Sequence, residues 1–381
     1  MQGYAIGRVV GKWESAGVTV PFGVYVHIPF CAHRCDYCDF ATWTDRAHLI
    51  DDYVDACVAD LERRVAAGSV ADATSVFFGG GTPSLLPAAS LARILAAIPR
   101  ADGAEVTVEC NPDSTDAEQL AELAAAGVNR VSIGVQSMAP HVLAALNRTH
   151  DPANVERAVG AARAAGIARV NLDLIYGTPG ESLTDWRATL AGALALEPEH
   201  VSAYALTVEA GTPLGKAVAA GTRRAPDDDD QADKYAAADD ALTAAGLEWY
   251  EISNWARAGE ECRHNLLYWQ GGDYLAIGCA AHGKTGPRRW WNVRTPERYV
   301  DAVRSGTSAE AGSEELDDAG RAAEMLGLAL RTRAGAPVDA LDRGGVAELG
   351  DAGLLAVDAG RVVLTRTGRL LANEVTLRLV R

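Results

Sequence analysis

The strongest constraint in this sequence is a rhythm. Over the first half of the chain, short apolar runs alternate with helical stretches. The runs are Val24–Ile28, Ser75–Phe78, Glu105–Glu109, Arg130–Gly134, Arg169–Leu174 and His200–Leu206. Each is short and rich in β-branched or aromatic residues, the pattern of a buried parallel strand. Between the first two, His48–Ala67 carries Ile50, Val54, Cys57, Val58, Leu61 and Val65 at helical spacing. Thr115 or Asp116 can cap the helix that ends before Gly127, and Asp151 the one that ends before Gly166. Strands alternating with helices predict parallel α/β architecture. Six units are too few for a closed eight-unit barrel, so we expect an open, partial (β/α)6 barrel. Its ligands belong at the C-terminal strand ends, where the strand–helix loops begin.

The rhythm stops after Leu206. Pro226 and Asp227–Asp230 mark a solvated turn or helix start, and an Ala-rich helix runs to about Ala245. Trp249–Trp291 reads as an irregular, aromatic-rich stretch. From about Asp317 the pattern is helical, with a short strand near Arg361–Leu364 and a final helix from about Thr367, a small winged-helix-like domain. We therefore expect an N-terminal extension (1–22), the barrel (23–215), a barrel extension (216–300) and a C-terminal, mainly helical domain (301–381). The chain has 35 Lys+Arg and 51 Asp+Glu, a net charge of −16, which argues against nucleic acid as a partner. No apolar run reaches the ~18–20 residues of a membrane span, and the N-terminus lacks the pattern of a signal peptide. A cytoplasmic location is expected, with membrane contact at most peripheral.

Cysteine usage carries the chemistry. Cys31, Cys35 and Cys38 fall within CAHRCDYC, directly after the first strand. Zinc sites favour four ligands, often as two separated knuckles, and no second knuckle follows. Three close thiols suit a [4Fe–4S] cluster that leaves one iron open to a ligand. Cys57 lies on the apolar face of a helix and reads as core. Cys110 and Cys279 have no partner in sequence and read the same way.

CxxxCxxC after a first strand, in a chain of six β/α units, resembles the radical S-adenosylmethionine (SAM) superfamily. The string YVHIPFCAHRCDYCDF resembles the branch that holds the oxygen-independent coproporphyrinogen III dehydrogenase and the related heme chaperones. Further motifs appear in order from Gly23 onward. FFGGGTPS, after the second strand, resembles the glycine motif that holds the amino group of SAM. Glu109 in ECNP, Gln136 in SIGVQS, Arg148 in LNRTHD and Asp173 in NLDLIYGTPG stand where this family contacts SAM. The resemblance thus implies SAM contacts at Tyr25, Gly80, Gly81, Thr82, Glu109, Gln136, Arg148 and Asp173. It implies a cluster whose open iron chelates SAM, and an injected electron that cleaves SAM to methionine and a 5′-deoxyadenosyl radical. Some relatives bind a second SAM, and Gln136, Arg148 and Asp173 match that set.

Two features separate the relatives. The dehydrogenase carries a further cysteine two residues past the third, where this chain has Phe40. HNLLYW (His264–Trp269) resembles HNxxYW, a signature of the heme chaperones. Histidine can ligate heme iron and flat rings can stack on a porphyrin. The resemblance therefore implies heme binding at His264, Asn265, Tyr268 and Trp269 and heme delivery to an acceptor such as a respiratory hemoprotein. His282 is a second candidate by chemistry, and Arg263, Arg288 and Arg289 are candidates for heme propionates. The alternatives are decarboxylation of coproporphyrinogen III to protoporphyrinogen IX, or a radical methyl transfer. In this family the cluster has been associated with dimerisation, so a homodimer is compatible with the resemblance.

Overall fold

The computed structural model describes residues 21–380, so residues 1–20 of the expected N-terminal extension lie outside the described residues. Six strands occupy the predicted runs, each with the same start or an earlier one: β1 (Phe22–Ile28), β2 (Ala73–Gly80), β3 (Arg100–Cys110), β4 (Arg130–Gln136), β5 (Arg169–Tyr176) and β6 (His200–Ala205). They pair in parallel, each with the next along the chain. The connecting helices are α1 (Ile50–Ala66), α2 (Ala88–Ala96), α3 (Ala117–Ala125), α4 (Pro140–Ala145), α5 (Pro152–Ala164) and α6 (Leu183–Ala195). Local chemistry sets their starts. Asp116 accepts from the Gln119 amide, and Asp151 accepts from Ala153 with Pro152 in the first turn. Ser182 and Asp185 form a reciprocal capping box on α6.

The stretch read as irregular is built of short strands. After α7 (Pro213–Ala219) and α8 (Asp228–Ala244) come β7 (Glu248–Glu251) and β8 (Asn254–Ala256), which extend the sheet beyond β6. Helix α9 (Arg263–Trp269) follows, then β9 (Asp273–Ile277), β10 (His282–Thr285) and β11 (Arg288–Asn292). β9 returns to pair in parallel with β1, so a seventh parallel strand flanks the first. After α10 (Pro296–Arg304), β12 (Glu310–Glu315) closes that side, in a 12-stranded sheet ordered β12-β11-β10-β9-β1-β2-β3-β4-β5-β6-β8-β7.

Apolar residues of the barrel strands and their helices form one large core, which also takes in Val300 and Ala309. The boundary expected at residue 301 therefore falls inside the main unit. A separate small core starts in α11 (Asp318–Leu330). It packs β13 (Ala336–Pro337), α12 (Arg343–Asp351), β14 (Leu355–Asp358), β15 (Arg361–Leu364), α13 (Arg366–Leu370) and α14 (Ala372–Leu379), with the strands in an antiparallel sheet β13-β15-β14. Arg369, with Arg366 beside it, pins this unit to the barrel. Arg369 is 9% exposed, donates to both Asp239 oxygens at 3.0 and 2.8 Å, and lies over the Trp249 ring at 4.5 Å. Arg369→Ala takes the two-pronged guanidinium from Asp239, which keeps only Trp255 Nε1 at 2.9 Å and Arg366 Nε at 3.6 Å. We expect a loss of about 2 kcal/mol in urea unfolding, with the C-terminal unit melting first; a variant as stable as wild type would show that other contacts hold the two units together. Among the described residues no helix is long and apolar enough to cross a membrane.

Candidate functional site

Alternation along the strands separates two environments. Val24, Val26, Val76, Phe78, Val106, Val108, Val131, Leu172 and Val201 join the apolar core. The intervening residues are mostly polar and line a cavity of about 150 Å³: Tyr25, Phe77, Thr107, Glu109, Arg130, Ser132, Asn171, Asp173, His200, Ser202 and Tyr204. A strand places successive side chains on opposite faces, so this pattern makes a barrel with a polar interior.

The cysteines sit at one end of that interior, in the loop after β1. The Cys31 amide donates to the Trp43 carbonyl at 3.0 Å, and the Asp36 carbonyl accepts from the Leu214 amide at 2.9 Å. Tyr37 packs on a small cluster containing Val142, Leu146, Ile175 and Leu206. All three thiols are free and half-buried. Desolvation raises the Cys31 pKa and pushes Cys38 up to about 11. Metal binding to these thiols would release their protons. Among the described residues no three side chains converge on one point as a single-metal site requires. A cubane makes no such demand, because its cysteine sulfurs ligate different irons. The donor set therefore fits the cluster.

The glycine motif wraps the same loop. Gly80 has φ +111°, and a Cβ there would strike the His27 ring. A Cβ on Gly81 would stand 2.6 Å from the Phe30 carbonyl and 3.0 Å from the Cys31 sulfur. Only glycine allows this approach. Thr82 Oγ1 lies 3.7 Å from Cys31 Sγ. Across the loop, Arg148 Nη1 lies 3.7 Å from Cys35 Sγ while Nη2 donates to the Gly134 carbonyl at 2.8 Å. Gln136 interrupts the register of β4 and takes φ +64°, unusual for a residue with a side chain.

Two carboxyls face the cavity. Glu109 accepts from the Gly80 amide at 3.0 Å. Burial, then the charge of Asp173, pushes its pKa up to about 8. Burial also raises Asp173, although Ser132 and Asn171 donate to it at 2.7 and 2.9 Å. Two acids held above their ordinary range suit a cationic ligand, which favours their charged form.

Helix α9 brings HNLLYW to the same cavity, which His264, Asn265 and Tyr268 also line. His264 is 1% exposed. Its Nδ1 lies 2.9 Å from Ser75 Oγ and its Nε2 2.8 Å from the Tyr268 hydroxyl. Desolvation lowers its pKa to about 3, so the imidazole is neutral. Trp269 does not join these three; Arg331 lies over its ring at 5.4 Å. His282 is exposed on β10, against Trp291 and outside the cavity. Arg288 and Arg289 are held in ion pairs with Glu310, Glu314 and Glu324. The sequence reading missed Arg130, Asn171, His200 and Tyr250, all of which line the cavity. The available signal was polar residues at alternate positions of otherwise apolar strands.

The family model for the radical SAM superfamily matches residues 25–191. A Mycobacterium tuberculosis protein named heme chaperone HemW is 46% identical over 370 residues, spanning 93% of this chain and 94% of the relative. The Bacillus subtilis protein of the same name is 34% identical, spanning 92% and 97%. The solved structure of coproporphyrinogen III oxidase (HemN) from Escherichia coli, a radical SAM enzyme, superposes with a TM-score of 0.81 at 24% identity, covering 94% of this chain and 89% of that one.

Proposed function

The chain belongs to the HemW heme chaperone family of the radical SAM superfamily, and on that basis we propose that it binds heme and delivers it to an acceptor hemoprotein in the cytoplasm or at the membrane surface. The observation that carries this reading is identity of 46% along nearly the whole of both chains. Phe40, 57% exposed beside the cysteine loop, supports the same choice, because the dehydrogenase has a cysteine at that place.

Cys31, Cys35 and Cys38 hold a [4Fe–4S] cluster in this reading. Tyr25, the Gly80–Thr82 turn, Glu109, Gln136, Arg148 and Asp173 surround SAM, with the two raised carboxyls taking its cationic groups. The cluster and SAM supply one-electron chemistry when bound; the residues of this chain orient them and keep water out. Heme contacts fall to His264, Asn265, Tyr268 and Trp269. Both ring nitrogens of His264 are engaged, and the cavity is below the ~300–1,000 Å³ of sites for drug-sized ligands. Heme therefore reaches His264 only when α9 leaves its seat and Tyr268 gives up its bond.

The test is anaerobic. The cluster is reconstituted, heme is added, and the Soret band is recorded for wild type and His264→Ala. We expect a stoichiometric band that His264→Ala weakens about tenfold or more, a loss of roughly 1.4 kcal/mol or more. Heme that binds no better than to an unrelated acidic protein would sink the reading.

A further inference from the structure

A chain of buried hydrogen bonds connects α9 to Asp173. Asn265 Nδ2 donates to the Tyr250 hydroxyl at 3.1 Å. The Tyr250 hydroxyl meets His200 Nε2 at 2.8 Å, and His200 Nδ1 meets Asn171 Oδ1 at 2.5 Å. Asn171 Nδ2 then donates to Asp173 Oδ1 at 2.9 Å. Tyr250, His200 and Asn171 are each less than 5% exposed. The direction of every bond is fixed from its end. The Asp173 carboxylate can only accept, so Asn171 turns its amide nitrogen toward it and its oxygen toward His200. His200 Nδ1 must then carry the proton, which leaves Nε2 to accept from the Tyr250 hydroxyl. That hydroxyl has its oxygen free for Asn265. All donors thus point the same way, toward the carboxylate, and bonds aligned in series polarise one another.

We propose that Tyr250 and His200 are positioning residues through which α9 sets the orientation and charge of Asp173, so that the HNLLYW helix controls SAM affinity without touching SAM. The inference rests on the reading above that Asp173 faces SAM. Asn265 Nδ2 also donates to Glu251 Oε1 at 3.2 Å, a contact that does not involve His200. Ser132 and Ser202 brace Asn171 at 2.6 and 3.0 Å but lie on the barrel strands. His264 holds α9 to Ser75 on the opposite side, with no link to Asp173.

The experiment measures SAM affinity of the anaerobically reconstituted full chain by calorimetry. Tyr250→Phe and Asn265→Ala each weaken SAM about fivefold, the lower end of ordinary coupling between sites. The double variant is no weaker than either alone, because both cut one series. In an Asp173→Asn background Tyr250→Phe has no further effect, an outcome that a general loss of packing would not give. Ser75→Ala, which loosens the other side of α9, leaves SAM affinity within about twofold. Additive losses in the double variant, or an undiminished effect in the Asp173→Asn background, would overturn the relay. So would SAM binding as in wild type by Tyr250→Phe. Wild-type protein that fails to bind SAM would overturn the proposed SAM site and the relay with it, whereas failure of the relay alone leaves wild-type SAM binding intact.

Discussion

Cys35→Ser empties the cluster site: bound iron after anaerobic reconstitution falls from about four per chain to well under one, and SAM retention falls with it. Serine keeps the size of the side chain but offers no thiolate to iron. The position is exacting because Cys35 has a guanidinium against it, Arg148 Nη1 at 3.7 Å. That cation stays when the thiolate goes. Cys57→Ala is the control. Cys57 is fully buried in the core on α1, and burial holds its pKa well above the ordinary value, so its removal leaves iron content unchanged. Full iron loading of Cys35→Ser would show that the loop does not hold a cluster through this residue.

Glu109→Gln separates stability from binding. In the ligand-free protein Glu109 titrates near 8, against 4.5 for the free side chain, because burial and then Asp173 oppose its charge. Between those two values the folded chain keeps a proton that the unfolded chain has released. Stability from this group is therefore complete below about 4.5 and declines as pH rises toward 8. Glutamine has nothing to lose. Glu109→Gln should melt higher than wild type at pH 8, by about 2 kcal/mol after allowing for the partial solvent contact of the side chain, and equal it at pH 4.5. The same change should weaken SAM about 10- to 100-fold, the worth of a hydrogen bond to a charged group. Melting curves across this range and SAM calorimetry check both halves. A variant with wild-type pH dependence, or with wild-type SAM affinity, would remove Glu109 from the site.

The parts of the molecule that the sequence made legible are those dictated locally. The six parallel strands announce themselves through β-branched runs, and their helices through Asp116 and Asp151 caps confirmed as hydrogen bonds. The cysteine loop and glycine turn were readable because close backbone approach tolerates few residue types. Non-local pairing was not readable. β9 joins β1 in parallel from about 250 residues away, and nothing in DYLAI announces that partner. The three- to five-residue strands β7, β8 and β11 are too short to show a period, so their sequence reads as irregular. His264 was legible in part: by composition a histidine on a helix with Tyr268 and Trp269 reads as a satisfied core residue, and α9 does turn it inward onto Ser75. The His200 relay was invisible for a different reason: each residue looks ordinary in its own strand, and only parallel register brings Asn171 beside His200.

Delivery of heme tests the account most directly. The reconstituted chain is loaded with heme, freed of excess by gel filtration, and mixed anaerobically with heme-depleted respiratory membranes. Heme is then assayed in the pelleted membranes and in the supernatant. The account predicts transfer of heme to the membrane hemoproteins with recovery of their spectra, faster than from heme-loaded albumin and lost in His264→Ala. Heme that stays on the chain, or reaches the membranes no faster than from albumin, would contradict it.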